Sequence, residues 1–347
     1  MGTRGYVPQL DGLRAVAVLA VVAFHARVPW LSGGFLGVDV FFVLSGFLIT
    51  QLLAQEYARN GRIALIDFYL RRLRRLYPAL LAMLAAYLVA APFAFPEHDQ
   101  HPRDAAVAAL YLSDYGRAFF EVPWYLQHTW SLSVEEHFYL VWPLALLAVF
   151  RLPKRWHVPA VILLAVAATV WRLSVVLWVD QWYQPYYRFD TRLSGLMLGS
   201  ALALWRPKMH AAAGAAGVAM LAAALVSAQW RMLNGLIGWA ALAEIGSALL
   251  VITAHKLPGL GWSPLVWVGK LSYGIYLWHY PIAYWFRAND YGWATTALTS
   301  LVLSILMAAI SYATVERSYR LSRAHRVERP GIGEVSALGG DPSIGKD

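Results

Sequence analysis

The sequence has no cysteine. That absence excludes disulfide bridges, a thiolate nucleophile and any cysteine-held metal site, and it leaves the compartment undecided. Charge is scarce as well: 14% of residues are charged, against roughly a quarter in an ordinary soluble domain. So few charges cannot cover a water-facing surface, whereas acyl chains accept apolar side chains directly. No long Gly/Ser or Pro linker divides the chain. It reads as one membrane domain, 8–320, with a polar, Gly-rich tail at 328–347 that is expected to be disordered and cytoplasmic. No small-residue cleavage pattern follows the first apolar run, so that run reads as a retained span.

What is present is hydrophobic: 59% of the residues, gathered into long runs. The expected fold class is all-α, a polytopic transmembrane helical bundle of about ten spans. They fall near 12–27, 35–54, 76–95, 130–150, 158–178, 191–205, 211–229, 235–254, 266–286 and 293–315. A helix satisfies its own backbone groups, which lipid cannot do for it. Residues 104–117 form a further weak apolar helix, read as interfacial or re-entrant. If they spanned, every later orientation would invert. The net charge of +9 does not point to nucleic acid, because the basic residues cluster in short segments between apolar runs, as in RRLRR at 71–75 and RLPKR at 151–155. This is the positive-inside pattern, and it places both termini in the cytoplasm. The opposite loops then hold only Arg27, Arg103, Arg117, Arg188, Arg231 and Arg287.

Several polar residues fall where lipid would forbid them. Arg14 and His25 lie three helical turns plus about 20° apart, so they share one face, roughly 16 Å apart along the axis. Either they face a wet interior, with Asp11 pairing with Arg14, or Arg14 snorkels to headgroups and His25 ends the helix. Asp39 lies in an apolar run among Gly33, Gly34, Gly37 and Gly46, and Ser45 can bond to another helix. The glycines by themselves point to packing. The segment 67–78 reads as an amphipathic cytosolic helix leading into the third span. Its Arg71, Arg72 and Arg75 can gather to hold phosphates or, equally, anionic lipid. Trp130, Ser131 and Ser133 precede the adjacent acids Glu135 and Glu136, which point about 100° apart and cannot face one pocket equally. Further on, Arg188, Asp190 and Arg192 cluster, Tyr276 and His279 lie one turn apart, and Pro281 leaves a helix carbonyl free nearby.

These segments resemble the acyltransferase 3 family, membrane O-acyltransferases that modify bacterial polysaccharides, lipids and macrolide antibiotics. The matching runs are LDGLRAVAVLAVVAFH at 10–25, GVDVFFVLSGFLIT at 37–50 and FYLRRLRRLYP at 68–78. WSLSVEEHFYLVWP at 130–143, TRLSGLMLGSALA at 191–203 and GKLSYGIYLWHYP at 269–281 follow in order. The resemblance implies that His25 is the catalytic histidine, paired with Arg14, and that Arg71, Arg72 and Arg75 help hold acyl-CoA phosphates. Glu135 takes the acidic position of the WSL element. Asp39, Ser45, Trp130, Arg192, Tyr276 and His279 are candidate substrate-binding residues. The run of matches lacks the SGNH esterase-like domain of many members, so a standalone form is expected, with direct transfer to a smaller acceptor or a lipid-linked sugar.

The expected reaction moves an acyl group, acetyl by family default, from acyl-CoA to a hydroxyl of a sugar, glycolipid, polysaccharide precursor or macrolide-type molecule. His25 would act as base, or carry the acyl group transiently, with Arg14 and Glu135 assisting. No tightly bound cofactor or metal is expected, and acyl-CoA is a donor substrate. The expected location is the bacterial cytoplasmic membrane, in contact with lipid. Oligomeric state is left open. The rival class is a transporter or flippase for a polar or lipid-linked solute, which inverted repeats or a midplane carboxylate pair would favour.

Overall fold

A computed structural model describes residues 6–232 and 235–316, and the tail at 328–347 lies outside them. The described residues are helical, and none forms a strand. Helix α1, Pro8–His25, opens on a proline, which fits a first turn whose N–H groups have no intrahelical partner. Helix α2, Gly37–Asn60, ends at Gly61, whose φ of 66° is the left-handed stop that glycine adopts without strain. Helix α3, Leu65–Ala94, runs unbroken for 30 residues through Pro78. The amphipathic segment at 67–78 is therefore the first part of this helix. At about 45 Å, α3 exceeds a hydrocarbon core of about 30 Å, so one end of it projects beyond.

The segment at 104–117 is two short helices, α4 (His101–Ala109) and α5 (Ser113–Phe119), broken where Tyr111 takes a φ of 53°. Nine residues reach only about 14 Å, too short to cross. The long elements that follow are α6 (Trp130–Phe150) and α7 (His157–Trp178), then the single turn and a half of α8 (Tyr183–Tyr187). After them come α9 (Leu193–Trp205), α10 (Ala211–Ser227), α11 (Ala240–Thr253), α12 (Ser263–Ala288) and α13 (Trp293–Ser311).

Each of the ten expected spans coincides with one of these helices. Six, in the stretches Gly34–Asn60, Leu65–Ala94, Gln127–Phe150, Lys154–Trp178, Gly235–Lys256 and Trp293–Thr314, are long and apolar enough to cross a membrane. Helices α9 and α10 are apolar but shorter, and α1 and α12 carry the polar residues of interest. Peripheral helices turn bare hydrocarbon outward: Leu163, Val166 and Val170 on α7, and Leu298, Val302 and Leu306 on α13, are all more than half exposed. Such surface suits lipid.

The centre is packed closely by small residues. A Cβ added to Gly46 of α2 would sit 1.9 Å from the Leu196 carbonyl oxygen of α9, and one added to Gly199 would sit 2.0 Å from that of Val43. Helices α1 and α12 touch as intimately: a Cβ on Gly269 would lie 1.8 Å from the Asp11 carbonyl oxygen. Without a side chain at these points the backbones can meet. Asp11 meets Gly269 and His25 meets His279, so α1 and α12 run in the same direction.

Candidate active site

Arg14 and His25 share α1 but open onto different cavities. His25 lines a cavity of about 540 Å³ at the carboxyl end of α1, together with His128, Trp130, Tyr276 and Tyr280. Arg14 lines a narrower one of about 90 Å³, together with Ser45, Arg72, Arg75, Glu135 and Lys270. The two cavities meet at Val38 and Tyr276, which line both. Tyr276 is tied down there, its hydroxyl donating to the His128 carbonyl at 2.9 Å and lying 2.6 Å from Ser131 Oγ. It forms the wall between the cavities.

The hydrogen bonds around His25 define which nitrogen can work. His279 is fully buried, and its Nδ1 lies 2.6 Å from the Tyr276 carbonyl oxygen. A carbonyl only accepts, so Nδ1 carries the proton. In the neutral ring His279 Nε2 is then an acceptor, and it lies 3.0 Å from His25 Nδ1. His25 therefore donates from Nδ1, which leaves the lone pair on its Nε2. The Tyr280 ring stands edge-on to the His25 ring at 4.9 Å and limits its rotation. A third imidazole, His128, completes the group, with its ring stacked on Tyr280. Pro281 has no N–H to give the Leu277 carbonyl four residues back, and that carbonyl accepts from His128 Nε2 at 3.1 Å. His128 Nδ1 is buried without a partner among the described residues. Among those residues no group of histidines and acids has the geometry of a metal site.

At the other end, Arg14 pairs with Asp11 at 3.5 Å. Glu135 accepts a short hydrogen bond from Ser45, which in turn accepts from Tyr139 at 3.1 Å. Its neighbour Glu136 lines a separate groove beside Tyr69 and Tyr111, as the helical offset requires. The arginine cluster divides. Arg72 and Arg75 line the narrow cavity, with Arg72 over the Tyr139 ring at 5.3 Å. Arg71 turns away to Glu56 at 3.4 Å and lines an open groove with Arg62 and Asp67. Lys270, which sequence reasoning did not single out, lines the same narrow cavity as Arg14.

Asp39 and Arg192 line neither cavity. They form an ion pair at 2.8 Å, each about 1% exposed, and the Arg192 guanidinium lies 5.4 Å from the Trp130 ring and 5.1 Å from the Tyr186 ring. Both rings line the larger cavity, so the pair holds its wall in place. A second buried pair, Arg172 with Glu244 at 2.8 Å, joins α7 to α11, and each of its members is a lone charge in an apolar run. The Asp104 carboxylate of α4 accepts at 2.8 Å from the backbone N–H of Trp124, in the loop before α6, and so orders another wall residue. Beside it, burial and the Glu97 carboxylate raise the Tyr125 phenol above its ordinary range, which keeps it protonated.

A search of solved structures finds no match. The curated relatives are O-acetyltransferases by name. The chain is 38% identical over 314 residues to the "Peptidoglycan O-acetyltransferase OatA" of Listeria monocytogenes, covering 81% of this chain and 50% of that protein. It is 34% identical over 352 residues to the "O-acetyltransferase OatA" of Staphylococcus aureus, covering 91% of this chain and 57% of that protein. The chain thus spans about half the length of the curated relatives it matches. The family model described as an acyltransferase domain matches residues 7–316, every helix described above included, and the chain belongs to the acyltransferase 3 family.

Proposed function

We propose that the chain transfers an acetyl group from acetyl-CoA to a hydroxyl of a cell-wall glycan, working across the bacterial cytoplasmic membrane. The observation that carries this reading is the His25–His279–Tyr276 carbonyl chain, which presents one imidazole lone pair at a cavity of small-molecule size. The names of the relatives support both acetyl transfer and a peptidoglycan-type acceptor. The excess of Lys and Arg on one side supports cytoplasmic termini, and the shared direction of α1 and α12 fits their places as first and ninth of ten spans.

In this reading the acceptor hydroxyl attacks the thioester carbon while His25 Nε2 takes its proton. The C–S bond breaks, the imidazolium returns the proton to the thiolate, and an ester and free coenzyme A leave. His279 holds the His25 tautomer. Arg14, Arg72, Arg75 and Lys270 receive the donor phosphates from the cytoplasm, with Glu135 organising the channel through Ser45. An extended pantetheine arm of roughly 15–20 Å matches the rise from Arg14 to His25, and it reaches the base once Tyr276 turns aside. The carrier alternative has less support, since the buried Asp39 and Glu244 are each closed by an arginine rather than forming a free carboxylate pair.

The test is purified protein in nanodiscs with labelled acetyl-CoA and a glycan acceptor. His25→Ala is expected to slow transfer by about 10²–10⁴-fold while folding and coenzyme A binding persist. Full transfer by that variant would reject the base assignment.

A further inference from the structure

The end of the larger cavity remote from Arg14 is cationic. Arg27, Arg117, Arg231 and Arg287 line it, and no aspartate or glutamate among the described residues does. They come from four separate places: just past α1, within α5, after α10, and in the last turn of α12. None is ion-paired with an acid among the described residues, although the protein neutralises arginines elsewhere, as in Arg188 with Asp190 and Arg192 with Asp39. Guanidinium groups gathered without a counter-charge repel one another, and an anion seated among them removes that repulsion.

Three of the four are held by neighbours, Arg231 lying over the Trp182 ring at 5.5 Å. Arg117 donates from Nη1 to the Glu121 carbonyl at 2.6 Å and lies over the Trp124 and Tyr187 rings at 5.6 and 5.5 Å. Arg287 lies over Tyr284 at 5.3 Å. The Nε of each is buried with no hydrogen-bond partner among the described residues, so the stem of each side chain is enclosed by protein. Arg27 and Arg231 sit at φ of 61° and 71°, where glycine would be easier, so the turn itself does not explain an arginine at either place. Between the guanidinium groups the wall is aromatic, with Trp124 and Trp230 presenting flat apolar faces. Such faces suit the C–H surfaces of a sugar ring.

We infer that this mouth selects an anionic carbohydrate, one bearing a carboxylate or phosphate close to the hydroxyl that reaches His25. The inference rests on the proposed acceptor side of the transfer reaction. It adds a charge requirement that a neutral sugar does not meet.

The test is equilibrium binding to the full chain in nanodiscs of zwitterionic lipid, with no donor present. The probes are a uronic acid disaccharide, its carboxyl-reduced neutral counterpart, and a disaccharide phosphate. A charged probe is expected to bind about tenfold tighter than the neutral one, the strength of one charge-assisted contact, and to weaken as salt rises. Preference for the uronate identifies a carboxylate acceptor, and preference for the phosphate a phosphorylated one. Arg27→Gln and Arg231→Gln, both exposed, are expected to remove most of that advantage without unfolding, Arg231→Lys to restore part of it, and coenzyme A affinity to stay unchanged. Equal binding of neutral and charged probes would overturn the proposal. So would loss of coenzyme A binding in the glutamine variants, or complete displacement of both anionic probes by phosphatidylglycerol added to the nanodisc. Because this readout needs no turnover, it is independent of the His25→Ala test of the reaction itself.

Discussion

The two cavities on either side of Tyr276 differ in width, charge and ring content. The Arg14 end is narrow, about 90 Å³, and mixes Arg14, Arg72, Arg75 and Lys270 with one acid, Glu135. The His25 end is about 540 Å³, with aromatic walls, three histidines around it and arginines at its rim. A slender, flexible donor arm suits the first, and a broad ring-shaped acceptor suits the second. The difference teaches that one helix, α1, can serve two ligands by presenting its polar residues about three turns apart.

The comparison is broken most severely at the wide end. His25→Ala should lower kcat by about 10²–10⁴-fold in a labelled-acetyl transfer assay, the range for loss of a general base, with little change in donor affinity. At the narrow end, Arg72→Gln with Arg75→Gln should weaken coenzyme A binding by about 10–100-fold, as two charge-assisted contacts are lost. Arg71→Gln should leave it nearly unchanged, because that side chain faces Glu56 instead. Equal effects from the two would place the donor outside the narrow cavity. His279→Ala should reduce kcat by about tenfold while KM stays close to its original value, because it frees the His25 tautomer without touching the acceptor. The smallest effect is structural: Gly269→Ala should cost about 1–3 kcal/mol in a chemical or thermal unfolding measurement, since its methyl would meet the Asp11 carbonyl.

How much of this was legible in the sequence follows from the range of each interaction. Apolar runs place helices because hydropathy is local, and all ten expected spans coincide with helices. Two single-helix relations could also be read from the 3.6-residue period: Arg14 with His25, and the divergence of Glu135 from Glu136. The arginine triplet could not be resolved that way. Its spacing permits one cluster, but Glu56 on α2 draws Arg71 aside, and that acid is near only after folding. His128 left a faint local trace, standing just ahead of the WSL element, and its true cue was the carbonyl that Pro281 leaves free on a distant helix. Lys270 and the four converging arginines had no local pattern, because each depends on elements meeting across the bundle, and Arg172 and Glu244 showed only as lone charges in apolar runs. Asp39 and Arg192 were visible as polar residues in apolar runs, yet only packing reveals that they close on each other.

The account depends on donor and acceptor entering from opposite faces and meeting at Tyr276. Protein inserted in one orientation in sealed vesicles tests this directly, with membrane-impermeant acetyl-CoA and glycan acceptor supplied on chosen sides. Product is expected only when acetyl-CoA is on the Arg14 face and the glycan on the His25 face. Equal product with both confined to a single face would contradict it.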